Sequence, residues 1–260
     1  MSNWNQKWGL SVENKIKLTR EYHVHSVYSR NNHGKSTIEE IVQEARNKNL
    51  KTISITDHGP GHMMYGIKRK LIPVQREEID RLKEKYDDIE ILMGVEANVI
   101  GYNGEIDIRE DEKKYFDFIN LGFHDGVKFV DKKSFYNYHV LKRMSWMGKS
   151  VREKMINLNT IAMLKALENN DIFIITHPGD KIDLDIEKIA QTCEKTNTVM
   201  EINNHHPHLS VEEIKISSHY NVKFSLGSDA HHKKNIANVN DSIKRVIESG
   251  LDISRIINID

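Results

Sequence analysis

The chain has 260 residues, with 38 Lys+Arg against 38 Asp+Glu, so its formal net charge is zero. A surface that tracks phosphate backbones by bulk charge needs an excess of cations, so long-range nucleic-acid binding is disfavoured. With 38% hydrophobic and 29% charged residues the chain is globular rather than disordered, and its single cysteine, Cys193, excludes an internal disulfide framework and a Cys-based zinc finger.

In chain order, residues 1–20 precede the first strand and are expected to form an N-terminal arm outside a single domain over 21–260. The first ten carry no apolar stretch, so no secretory signal is expected, and a cytoplasmic location follows. No apolar run approaches the roughly 20 residues of a membrane helix. Seven short β-rich runs follow, at 21–25, 51–58, 90–99, 118–124, 172–177, 199–203 and 223–229. Between them the pattern predicts helices over 37–48, 74–86, 159–169, 185–196, 211–219 and 241–249. Thr37 and Glu40 form a capping box, Ser210 is an N-cap, and Gly250 ends the last helix. Strands alternating with helices imply βαβ units and a parallel sheet. Seven nearly continuous apolar strands favour a closed barrel over an open sheet. Residues 130–155 are too long for an ordinary connection and combine cations with Phe135, Tyr136, Tyr138 and Trp146. They read as an inserted lid or specificity loop, or as a surface helix or a contact between copies in a homo-oligomer.

The 14 histidines do not scatter. The first strand ends in His23-Val24-His25, whose rings share a face because side chains alternate along a strand. The second ends at His58, the third carries Glu96, and the fourth and fifth end at His124 and His177. The sixth ends in Glu201-Ile202-Asn203, and Asp229 and His231 follow the seventh. In an α/β barrel these ends form one face, where active sites sit. Burying so many imidazoles and carboxylates without a charge partner would be costly, and a cluster of metal ions removes that cost. Together with His33 in the first loop, this predicts a multi-metal centre.

The ordered motifs H-x-H, T-D-H-G-P, G-V-E-A-N, G-F-H, T-H-P-G, E-I-N-N and G-S-D-A-H resemble the PHP (polymerase and histidinol phosphatase) family, from about Glu21 to about Asn240. The wording of Ile55–Pro60, Gly94–Val99, Gly104–Asp107 and Glu201–Asn204 is most similar to its stand-alone phosphatases. The resemblance implies an α/β fold, a distorted (β/α)7 barrel, holding three divalent ions. His23, His25, Glu96 and Asp229 would hold the first. Glu96, His124 and His177 would hold the second, with Glu96 bridging, and His33, His58 and His231 the third. Many relatives carry an Asp where this chain, with a longer loop, has His33. Imidazole-rich ligands suit Zn, Mn or Fe better than Mg.

The expected reaction is hydrolysis of a phosphate monoester, a small phosphorylated substrate, by attack of metal-bound hydroxide on phosphorus. Asp57 is expected to orient a ligand imidazole. His62, Arg143, Lys149 and Arg152 are candidate substrate contacts. His205, His206 and His208 follow the sixth strand and are not assigned as ligands. The alternatives are a phosphodiesterase or 3′–5′ exonuclease, a histidinol phosphatase, and a metal-binding structural or regulatory PHP module without turnover.

Overall fold

The computed structural model describes residues 16–144, 146 and 148–260; most of the expected N-terminal arm lies outside them. Seven strands form one sheet in chain order: β1 (Arg20–Glu21), β2 (Thr52–Ile55), β3 (Glu90–Asn98), β4 (Phe118–Gly122), β5 (Ile174–Ile175), β6 (Val199–Asn203) and β7 (Phe224–Gly227). Every neighbouring pair is parallel. Beyond β1 and β7, Val24 pairs with Ala230, and the His25 amide donates to the Ala230 carbonyl at 2.9 Å. At the opposite end of the barrel, Asn258 joins the two edges. Its Nδ2 donates to the carbonyls of Arg20 (3.0 Å) and Leu226 (2.8 Å), and its Oδ1 accepts from the Leu226 amide at 3.0 Å. The result is a distorted (β/α)7 barrel, nearly closed. The distortion lies at the β1–β7 seam, where a two-residue strand leaves pairing to a bridge and one amide side chain.

The helices follow their sequence signals. Helix α1 (Ile38–Asn47) has both halves of its capping box: Thr37 Oγ accepts from the Glu40 amide at 3.2 Å and the Glu40 carboxylate from the Thr37 amide at 3.0 Å. Helix α2 (Ile72–Lys85) begins two residues earlier than its periodicity predicts, because Pro73 is tolerated in a first turn, where its missing N–H has no partner to lose. Helix α3 (Lys149–Asn169) begins ten residues early and takes in the end of the predicted insertion, 149–155. Its first two turns bury little besides Met155, so no apolar stripe marks them in the sequence. Helices α4 (Ile186–Thr196), α5 (Val211–Ser218) and α6 (Asn240–Ser249) complete the ring. Ser210 caps α5 and Gly250 (φ 71°) ends α6, as expected. Earlier in the insertion, the described residues include short helical pieces, Lys132–Phe135, Tyr136–Val140 and Leu141–Met144.

Apolar residues fill both sides of the strands, which a parallel sheet covered by helices requires. Val95, Ala97, Leu121, Met200, Ile202 and Leu226 belong to one cluster, and Ile38, Ile41, Ile53, Ile55, Ile91 and Met93 to another. Between these walls, polar residues collect at one end. Among the described residues, no helix is long and apolar enough to cross a membrane.

Candidate metal centre

The C-terminal strand ends bring all nine sequence-predicted ligands together around Glu96. This carboxylate is fully buried. Its Oε1 lies 3.4 Å from His23 Nε2, 3.1 Å from His124 Nε2 and 3.0 Å from His177 Nε2. Its Oε2 lies 3.6 Å from His25 Nε2 and 2.8 Å from His58 Nδ1. Asp229 Oδ1 stands 3.2 Å from His25 Nε2 and 3.6 Å from His23 Nε2. On the far side, His33 Nε2 lies 3.2 Å from His58 Nε2 and 2.7 Å from His231 Nε2. His33, on the longer loop after β1, therefore points into the cluster.

Partners behind the rings fix which nitrogen faces inward. His23 Nδ1–H donates to Glu201 at 2.7 Å, His124 Nδ1–H to Asn98 Oδ1 at 2.7 Å, and His231 Nδ1–H to the Asp229 carbonyl at 2.8 Å. Each bond turns an Nε2 toward the centre. Asn98 is itself held by Asp107, which accepts from its side-chain amide at 2.6 Å and its backbone amide at 2.8 Å. Two glycines make room for this packing. A Cβ at Gly227 would overlap the Glu201 carboxylate, and one at Gly122 would overlap the His124 ring. His177 (φ 27°) and Asp229 (φ 50°) adopt positive φ at their strand ends, strained backbone of the kind that concentrates at functional sites.

The electrostatics call for cations. His23 Nε2, His25 Nε2, His58 Nδ1, Glu96 Oε2 and Asp229 Oδ1 are all buried without a hydrogen-bond partner. Such groups are costly in a dry interior unless an ion satisfies them. Burial holds the imidazoles of His33 (about 3), His124 (about 4) and His25 (well below the usual range) neutral, which keeps ring lone pairs available. Burial acts on His23 in the same direction, but the carboxylates of Glu201, Asp229 and Glu96 outweigh it and draw a proton onto the ring. Positive charge is wanted where His23, His25 and Asp229 meet, and again where His23, Glu96 and His177 meet. The donor set fits divalent ions with mixed nitrogen and oxygen ligands.

Asp57 does not touch an imidazole. It accepts from the Ser26 amide (2.8 Å), Ser26 Oγ (2.5 Å), Ser29 Oγ (2.5 Å) and Gln75 Nε2 (2.6 Å), and so fixes the loop that carries His33. Ring orientation falls instead to Glu201 and Asn98, neither of which the sequence reading assigns. The signal was present: Glu96 and Asn98, like Glu201 and Asn203, are two apart on a strand and share a face. His206 is also drawn in, with Nδ1 3.1 Å from Asp180 and Nε2 3.4 Å from Asp229. Burial lowers its pKa, but these two carboxylates outweigh it and raise it to about 9.

A cavity of about 440 Å³ opens over the cluster. His62 lines it; its Nδ1 accepts from the Tyr65 amide at 3.1 Å, so Nε2 carries the proton of the neutral ring. Lys181, beside Asp180 at 2.8 Å, is a cation on the cavity wall that sequence reasoning missed. Arg143, Lys149 and Arg152 lie outside the lining. Arg143 is exposed, Lys149 faces Glu153 at 3.7 Å, and Arg152 pairs with Asp183 at 2.9 Å.

The family model of the PHP domain matches residues 21–205. A protein of Caldicellulosiruptor saccharolyticus named "Probable phosphatase" is 32% identical over 239 residues, covering 89% of this chain and 87% of that protein. A solved structure from Listeria monocytogenes aligns with TM-score 0.62 at 19% identity, over 84% of this chain and 97% of the other. The histidinol phosphate phosphatase of Lactococcus lactis, solved with zinc, L-histidinol and phosphate, aligns with TM-score 0.58 at 16% identity, over 93% and 98%.

Proposed function

The chain belongs to the PHP-domain family, and from that premise we propose that it is a metal-dependent phosphoric ester hydrolase acting on phosphate monoesters. His23, His25, Glu96 and Asp229 would hold one divalent ion (Zn, Mn or Fe). Glu96, His124 and His177 would hold a second, and His33, His58 and His231 a third. The observation that carries this reading is the group of buried, unpartnered ring nitrogens and carboxylate oxygens around Glu96. The zinc and phosphate of the Lactococcus lactis structure, and the phosphatase name of the Caldicellulosiruptor relative, support it.

When bound, clustered divalent ions would lower the pKa of a water and neutralise phosphate oxygens. The chain's own residues prepare the rest. Glu201 and Asn98 hold imidazoles edge-on to the centre. The His62 Nε2–H and the Lys181 ammonium supply donors for non-bridging phosphate oxygens from the cavity wall. A cavity of about 440 Å³ suits a small ester better than a nucleic-acid strand.

The test is turnover of p-nitrophenyl phosphate beside its bis ester, with Mn²⁺ or Zn²⁺ restored and His58→Ala as control. Monoester turnover lost in the control is expected. Dominant diester turnover would favour a phosphodiesterase or exonuclease. Bound metal with no turnover of either would favour a non-enzymatic module.

A further inference from the structure

A second cavity of about 510 Å³ adjoins the first and shares His33, Tyr65, His205, Asp229 and His231 with it. Its outer wall is built from amides. Asn31 and Asn32 come from the loop after β1, Asn204 from the loop after β6, and Asn235 and Asn238 from the loop after β7, with Lys35 among them. Asn31 is partly committed, its Nδ2 donating to the Met64 carbonyl at 2.7 Å. Asn204 Oδ1 accepts from the Asp241 amide at 2.8 Å, at the start of α6. Among the described residues, the side chains of Asn32, Asn235 and Asn238 make no hydrogen bond and Lys35 Nζ no ion pair.

We propose that this asparagine-lined annex receives the leaving group of the ester, and that this leaving group is polyhydroxylated: a sugar or polyol. The inference rests on the phosphatase reading of the adjoining centre. Each carboxamide offers both donors and acceptors, the pairing that alcohol groups need. Three free amides spread over two loops match several hydroxyls rather than one anion. A nucleobase would need a free aromatic face, and Tyr65 is already stacked on His33 (3.9 Å between centroids) and His62 (4.9 Å). An ammonium group would need a free carboxylate. The annex has only Asp229, which faces the metal ligands, and it has Lys35, which repels a cation. The annex therefore selects against an amine-bearing leaving group such as the L-histidinol of the Lactococcus lactis structure.

The experiment compares kcat/KM for glucose 6-phosphate and for 2-aminoethyl phosphate, with metal restored and p-nitrophenyl phosphate as reference. The wild type is expected to favour the sugar ester by about tenfold or more, because the exposed amides pair with its hydroxyls while Lys35 repels the ammonium of the other ester. The double variant Asn235→Ala, Asn238→Ala is expected to lower the sugar-to-amine ratio by about tenfold, and Lys35→Glu to move it toward the amine by a smaller factor. A wild-type ratio near one, or a ratio that neither variant moves, with p-nitrophenyl phosphate still turned over, overturns the inference and leaves the phosphatase reading standing. Wild-type protein that turns over no ester overturns both.

Discussion

The barrel mouth and the 130–155 segment are both rich in polar and aromatic residues, yet the fold treats them in opposite ways. At the mouth, Glu96 stands within β3, most of the other imidazoles and carboxylates follow directly on strand ends, and several rings are fixed by a second bond behind them. In the segment, Trp146 is 82% exposed, and Phe135 and Tyr136 are more than half exposed. Tyr138, by contrast, is buried, its hydroxyl donating to Asp125. Of its cations, Arg152 pairs with Asp183 and Lys149 faces Glu153, both outside the cavity lining, while Lys142 donates to Asp125 on the cavity wall at 2.7 Å. Chemistry on this chain is carried where the backbone leaves a side chain one direction, and residue type alone is a poor guide elsewhere.

The contrast predicts a graded series of losses. Glu96→Ala removes the oxygens facing five imidazoles, and should cost activity by on the order of 10³-fold together with metal at two sites. Turnover assays and elemental analysis of the same sample check this. Asn98→Leu leaves the ligands in place but frees the His124 ring, so metal affinity should fall by about 10- to 100-fold, read by competition with a chelator. Unchanged affinity would mean that the bond behind the ring is idle. For Lys181→Ala, KM for p-nitrophenyl phosphate should rise by about tenfold with kcat less affected, as expected for loss of one charge-assisted contact. Arg152→Ala should alter stability by less than about 1 kcal/mol, because its ion pair is largely exposed, and change kcat/KM by about twofold at most. A large kinetic effect there would show that the segment closes over the cavity during turnover.

Much of this architecture was legible in advance, for physical reasons. The seven strands are buried on both faces, so their apolar runs stand out. H-x-H and the strand-end acids are informative because strand alternation converts spacing into direction. The capping box of α1 and the glycine after α6 are local signals that needed no tertiary help. What was hidden depends on packing between distant segments. The partner of His23 is 178 residues away. Asp57 looked like an orienter of imidazoles because it adjoins His58, but alternation sends it to the other side, against Ser26, Ser29 and Gln75. The early start of α3 escaped because its first turns face water. Lys181 and His206 sit on loops whose path no periodicity reveals.

The central claim is that nine residues on one face form a three-ion centre. The most direct test is elemental analysis of protein reloaded with Zn²⁺ and freed of excess metal, for the wild type and His33→Ala. The account predicts three ions per chain in the wild type and two in the variant. One ion or none in the wild type, or the same count in both proteins, would contradict it.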